Sequence, residues 1–264
     1  MTESFGIIGA GHLGTCLLTG LVQSGIDTAK IKIADPKKAR LDKIRENTGV
    51  FGSTNNQDVV DGAEVVVLAL RPGDVLKACS QLDFANKVVI STAAGIRLSQ
   101  IKKATGSDQV IRAMPNLAAV VNASMTALFT DKQMSPAIKR ACESLFRCVG
   151  ETLWLNDEAL MKPFTALCGS SPALLISVTQ QLENIAQQYG FDHKTAQFMV
   201  RQTLYGTGKL MLSQETSSQA LISSICVSGG VTEAMLSQWN SEQVASTLAN
   251  AIQQGVNKHV DGET

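Results

Sequence analysis

The 264-residue sequence predicts an α/β protein: an N-terminal Rossmann domain with a doubly wound, mainly parallel sheet, followed by a C-terminal all-helical dimerisation domain. Three observations predict it. Short β-rich runs alternate with amphipathic stretches through the first 155 residues. The first run enters a glycine-rich loop, "FGIIGAGHLG" from Phe5 to Gly14. After about residue 160, β-branched runs give way to helical periodicity.

The expected strands are "SFGIIG" (4–9), "IKIA" (31–34), "EVVVLAL" (64–70), "KVVIST" (87–92), "QVIRAM" (109–114), "MTALFT" (125–130) and "ETLWL" (151–155). Several are apolar at nearly every position, as strands covered on both faces are. Helical stretches separate most of them at 12–24, 36–47, 73–82, 98–104 and 135–149. Further helices are expected at 172–190, 193–213, 217–226 and 230–260, with Asp192 after Gly190 as an N-cap. The change of pattern places the domain boundary within "NDEALMKPF" (156–164), giving domains 1–158 and 159–264. A long apolar helical domain of this kind buries its surface against another copy, so a homodimer is expected.

Composition narrows the function. The chain is 44% hydrophobic and 17% charged, with 23 basic and 23 acidic residues, so nothing favours nucleic acid or an anionic membrane. Apolar runs such as "VVVLAL" (65–70) are too short to span a bilayer, and no secretory signal is visible. The six cysteines form no CxxC pair and read as free thiols of a reducing cytoplasm. His12, His193 and His259 are too scattered to suggest a metal site.

Gly9-x-Gly11-x-x-Gly14 follows a strand and opens a helix, the context that a dinucleotide fingerprint requires. The first glycine permits the turn, the second admits a pyrophosphate, and the third lets helix and strand pack closely. The helix start, with His12 and Leu13, presents free N–H groups to phosphate. Asp35, at the end of the second strand, is the acid expected to bond the ribose of NAD. Lys37, Lys38 and Arg40 follow in "DPKKAR". They are either a clamp for the 2′-phosphate of NADP or a solvated helix face. NADPH and NADH both stay open.

Over nearly its whole length the chain resembles the pyrroline-5-carboxylate reductase family. The matching segments are "GIIGAGHLG", "LALRPGDV" (68–75), "ISTAAGI" (90–96), "IRAMPN" (111–116), "MTAL" (125–128), "CGSSPALL" (168–175), "RQTLYGTGKLM" (201–211) and "ICVSGGVTEAML" (225–236). The resemblance implies hydride transfer from NAD(P)H to the C=N carbon of a cyclic imine, giving proline. It also implies a dimer or larger homo-oligomer with interlocked helical domains. The substrate would sit between the Rossmann domain of one subunit and helices of the dimer. Leu70, Arg71, Pro72, Ala94 and Asn116 would join the glycine loop, Asp35 and Lys37 around the cofactor. Met114, Pro115, Ser228, Gly229, Gly230, Val231 and Thr232 would face the substrate. Gly229 and Gly230 would aim N–H groups at its carboxylate. The Thr232 hydroxyl would orient the imine and relay a proton. Read without the resemblance, Thr232 is a helix N-cap and Asn116 either a turn residue or a ligand to the nicotinamide carboxamide.

Departures from the family pattern gather on the substrate side. Val227, Ser228 and Val231 replace Ser, Pro and Thr of SPGGTT, Leu117 and Ala118 replace Thr and Pro of MPNTPA, and Leu174 replaces a Tyr. A usual Glu falls at Gln180, and a usual acid near Ser223. Each loss removes a polar group or a backbone restraint. Two alternatives therefore accompany the reductase reading: a paralogue reducing another cyclic imine or a carbonyl, and a cofactor-binding protein without catalysis.

Overall fold

In a computed structural model of the chain, residues 4–258 are described; His259 and the end of the expected 230–260 helix lie outside them. The elements run β1 (Phe5–Ile8), α1 (His12–Gln23), β2 (Ile31–Ala34), α2 (Lys38–Thr48), β3 (Gly52–Ser53), α3 (Asn56–Asp61), β4 (Val65–Leu68), α4 (Pro72–Cys79), β5 (Val88–Ser91), α5 (Leu98–Thr105), β6 (Val110–Met114), β7 (Ser124–Phe129), α6 (Pro136–Arg147) and β8 (Gly150–Trp154). The eight strands form one sheet in the order β3-β2-β1-β4-β5-β6-β7-β8. Every pairing is parallel except β6 with β7. The order reverses between β1 and β4, the switch point at which doubly wound sheets bind their ligands.

The unbroken apolar strands follow from two-sided burial. Phe5 and Ile7 of β1 enter a core with Leu17 and Leu21 of α1, while Ile8 enters a second core with Val59 and Val60 of α3. Val65 and Val67 of β4 join the first core, Val66 and Leu68 the second. Successive side chains of a strand point to opposite faces, so each face needs its own apolar set. The sequence did not reveal β3 or α3. A two-residue strand, "GS", carries no periodicity, and α3 rests on the Asn55 cap and two apolar residues, Val59 and Val60.

The helical part begins with a 3₁₀ turn at Glu158–Leu160, α7 (Met161–Phe164) and a π-helical turn at Thr165–Ser170. It continues as α8 (Ser171–Gln188), α9 (His193–Ser213), α10 (Ser218–Ile225), α11 (Val231–Ser241) and α12 (Val244–Asn257). Asp192 caps α9 by accepting from the Lys194 and Thr195 N–H groups, as expected. The expected 230–260 helix is two helices, broken where Gln243 takes φ 53°. By compactness the chain divides after Ser170, with Ser171–Asn257 as the second unit. Among its described residues, that unit buries only Thr179, Glu183, Ala186 and Ala196. A groove of about 570 Å³ between α8 and α9 is lined by Leu175, Val178, Leu182, Phe191 and Met199. Residues 158–188 form one helical run of 31 residues, long and apolar enough to cross a bilayer by length and composition alone. The short apolar runs in the sequence did not reveal it, because Gln180, Gln181, Glu183 and Asn184 interrupt them.

Candidate cofactor and substrate site

The residues of the first unit expected at the site lie at the ends of β1, β2, β4, β5 and β6, in the loops that follow them or in the first turn of the next helix. The three glycines of the first loop differ in what surrounds them. Gly9 adopts φ +105°, and a Cβ there would come 2.5 Å from the Ala69 carbonyl oxygen. A Cβ on Gly14 would strike the Gly9 carbonyl. A Cβ on Gly11 would meet nothing within 4 Å. The first and third glycines are thus required by the protein itself, while the second borders open space at the start of α1. That is the division of labour a pyrophosphate cradle needs, so the loop fits a dinucleotide. Gly11 is the N-cap of α1 and makes no side-chain cap, leaving the first N–H groups of the helix, His12 and Leu13 among them, to an anion. His12 is exposed and Leu13 half-buried.

Asp35 turns inward. It is 3% exposed, and its carboxylate accepts from three donors: the Ala10 N–H at 3.0 Å, the Lys37 N–H at 2.9 Å and the Arg40 guanidinium at 3.0 Å. The expectation of a ribose ligand meets a carboxylate engaged in tying β2, the glycine loop and α2 together. Lys37, Lys38 and Arg40 are exposed at the same edge.

Leu70 and Arg71 follow β4, with Arg71 exposed as the N-cap of α4 and Pro72 at its first turn. Ala94 follows β5 and precedes Gly95, which adopts φ 74°. Met114 ends β6 and lies against Gly169, where an added Cβ would come 3.1 Å from the Met114 methyl. Asn116 caps the 3₁₀ turn Leu117–Val121 by accepting from the Ala118 N–H at 3.1 Å, and its amide donates to the Cys168 carbonyl at 3.0 Å. It therefore braces the π-helical turn against the end of β6, as a turn residue does. π-helical turns gather at functional sites, and this one stands at the end of a sheet strand.

On the second unit, Thr232 is not the N-cap of α11. Gly230 is, and it caps without a side chain. The Thr232 hydroxyl, half-buried in the first turn, has no partner among the described residues. The Gly229 and Gly230 N–H groups, by contrast, are engaged. Gly230 N–H donates to the Val227 carbonyl at 2.9 Å, and Gly229 N–H donates to Glu233 Oε2 at 2.7 Å. The unpaired donors are those of the first turn of α11, Val231, Thr232 and Glu233. Val227, Ser228 and Val231 are exposed. Glu233 was not singled out in the sequence, although a Glu at the third position of a helix is a capping-box signal.

All six cysteines are thiols outside any disulfide. Burial pushes the Cys79 thiol up to about 11 and Cys148 to about 12. No group of three or more His, Cys, Asp or Glu side chains among the described residues could hold a metal ion.

Two family models match the chain: pyrroline-5-carboxylate reductase dimerisation over residues 158–261, and NADP oxidoreductase, coenzyme F420-dependent, over residues 4–95. The chain is 30% identical to the pyrroline-5-carboxylate reductase of Pasteurella multocida, with 95% of this chain and 94% of the relative aligned. It is 31% identical to that of Vibrio alginolyticus, covering 96% and 95%. The solved structure of a pyrroline-5-carboxylate reductase from Coxiella burnetii is 29% identical, with a TM-score of 0.93 over 97% of each chain.

Proposed function

The chain belongs to the pyrroline-5-carboxylate reductase family, and on that premise we propose how its own residues divide the work of reducing 1-pyrroline-5-carboxylate to L-proline. When bound, NAD(P)H supplies a hydride to the imine carbon, and a proton is taken up at the ring nitrogen. The single observation that carries the cofactor side is the open space at Gly11 beside two sterically obligatory glycines. The start of α1 holds the pyrophosphate. Leu70, Arg71, Pro72, Ala94 and Asn116 border the cofactor at the strand ends. With Asp35 engaged inside the protein, Lys37 and Arg40 read the 2′ position, which favours NADPH over NADH.

On the substrate side we assign Met114 and Pro115 of the first unit and, on the second unit, the segment Ser228–Thr232. Thr232 is the catalytic group of that segment: its unpartnered hydroxyl orients the imine nitrogen and relays a proton to it. A hydroxyl is too weak an acid to protonate the imine alone, so positioning is its larger contribution.

The chain forms homo-oligomers through its helical part, and we infer a dimer or a multiple of it. The apolar groove between α8 and α9 and the exposed Leu175, Ile176, Leu182, Phe198 and Leu212 support that reading. The same covering accounts for the apolar run 158–188 without a membrane. Free thiols fit a cytoplasmic setting. The testing experiment follows NADPH and NADH absorbance with purified protein and 1-pyrroline-5-carboxylate. Turnover with either cofactor supports the reading; absence of turnover with cofactor bound overturns it.

A further inference from the structure

Resting on that reading of the substrate side, we propose that Glu233 sets the affinity of this chain for its substrate, as an internal carboxylate that occupies the substrate carboxylate's place. The loop before α11 already holds a carboxylate, and it is the chain's own. Gly229, at φ +70°, donates its N–H to Glu233 Oε2 at 2.7 Å, while the first turn of α11 offers its unpaired N–H groups alongside. Glu233 stands in that same turn, next to the free Thr232 hydroxyl. No salt bridge to Glu233 is present among the described residues. A substrate carboxylate arriving here meets a donor already engaged and a second negative charge within one helical turn. Like charges in one site disfavour each other. Binding therefore requires Glu233 to release Gly229 and rotate into solvent, where its exposed position leaves it room. A neutral substrate lacking the carboxylate requires no such release, so Glu233 narrows the advantage that a carboxylate confers.

The experiment compares the wild type, Glu233→Gln and Glu233→Ala with two substrates: 1-pyrroline-5-carboxylate and 1-pyrroline, which lacks the carboxylate. Gln keeps a neutral acceptor for the Gly229 N–H, and Ala removes it. The expected result is a KM for 1-pyrroline-5-carboxylate that falls from wild type to Gln to Ala, by about tenfold in all. The KM for 1-pyrroline stays unchanged. Unchanged KM for both substrates, with a lower melting temperature, would make Glu233 only a helix cap and overturn the proposal. A KM for 1-pyrroline-5-carboxylate that rises would make it a substrate ligand and overturn it as well. Thr232→Ala, measured alongside, separates the two levels. Loss of kcat in Thr232→Ala with inert Glu233 variants sinks this proposal and leaves the site reading standing. Full activity in Thr232→Ala removes the site reading and the proposal together.

Discussion

The Ala10 N–H donates to Asp35 Oδ2 at 3.0 Å, joining the middle of the glycine loop to the end of the neighbouring strand. An acid at this position commonly reads ribose. Here it accepts from the Ala10 N–H of the glycine loop and from the Arg40 guanidinium at the same time.

Asp35→Ala leaves the buried Ala10 N–H without an acceptor, which costs about 1–3 kcal/mol. The expected outcome is a lower melting temperature together with weaker binding of both NADPH and NADH in a fluorescence titration. A variant that binds NADPH normally and loses only NADH would restore Asp35 to the role of ribose ligand.

Gly11→Val and Gly14→Ala separate ligand space from protein packing. A side chain at Gly11 enters open space, so the variant keeps its melting temperature and loses dinucleotide binding. A methyl at Gly14 collides with the Gly9 carbonyl, so the fold is destabilised by about 1–3 kcal/mol. Thermal melts and calorimetric titration of each variant check both halves.

Thr232→Ala removes a hydroxyl that has no hydrogen-bond partner among the described residues. Because Gly230 caps α11, the melting temperature holds. The expected fall in kcat is one to three orders of magnitude, about 1.4–4 kcal/mol. Stopped-flow turnover normalised to folded protein distinguishes this from a structural effect.

Leu182→Glu places a charge in the apolar groove between α8 and α9. Sedimentation velocity is expected to show the oligomer shifting to monomer at micromolar concentration. A sedimentation profile like that of the wild type would move the interface elsewhere.

The thiols of Cys79, buried, and Cys148, half-buried, give a pH dependence of known sign. The folded values of Cys79, about 11, and Cys148, about 12, lie above the ordinary 9.0 because burial disfavours the thiolate. Their contribution to stability is therefore complete below pH 9 and lost as pH rises towards about 12, since the unfolded chain releases those protons first. Denaturant midpoints at increasing pH, with wild type against Cys148→Ala, measure it. At pH 8 both thiols stay closed to an aromatic disulfide reagent until the protein unfolds.

How much was legible in the sequence depended on how many residues announced each feature. α9 was read to its ends because an Asp cap precedes it and no Gly or Pro interrupts its start. The strands of the central sheet were legible because burial on both faces makes them continuously apolar. β3, at two residues, carries too little sequence to hold a pattern. The glycine loop was legible because close backbone contacts dictate Gly9 and Gly14, and Gly11 completes the spacing in open space. The inward turn of Asp35 was not, because a residue type at a strand end does not announce the backbone N–H that its carboxylate will meet. Thr232 read as an N-cap since Ser and Thr commonly serve there, but Gly230 had already met the extended backbone that a cap needs.

The helical unit buries four described side chains of its own, three on α8 and one on α9. A segment so poor in private core takes its stability from company. The genetic consequence is that a copy damaged at Gly11, whose helical half is untouched, is still recruited by intact copies. Co-expression of the two would yield hybrid assemblies that mix altered and intact glycine loops. The output of the intact copy in such a hybrid shows whether the protein's working unit is the chain or the assembly.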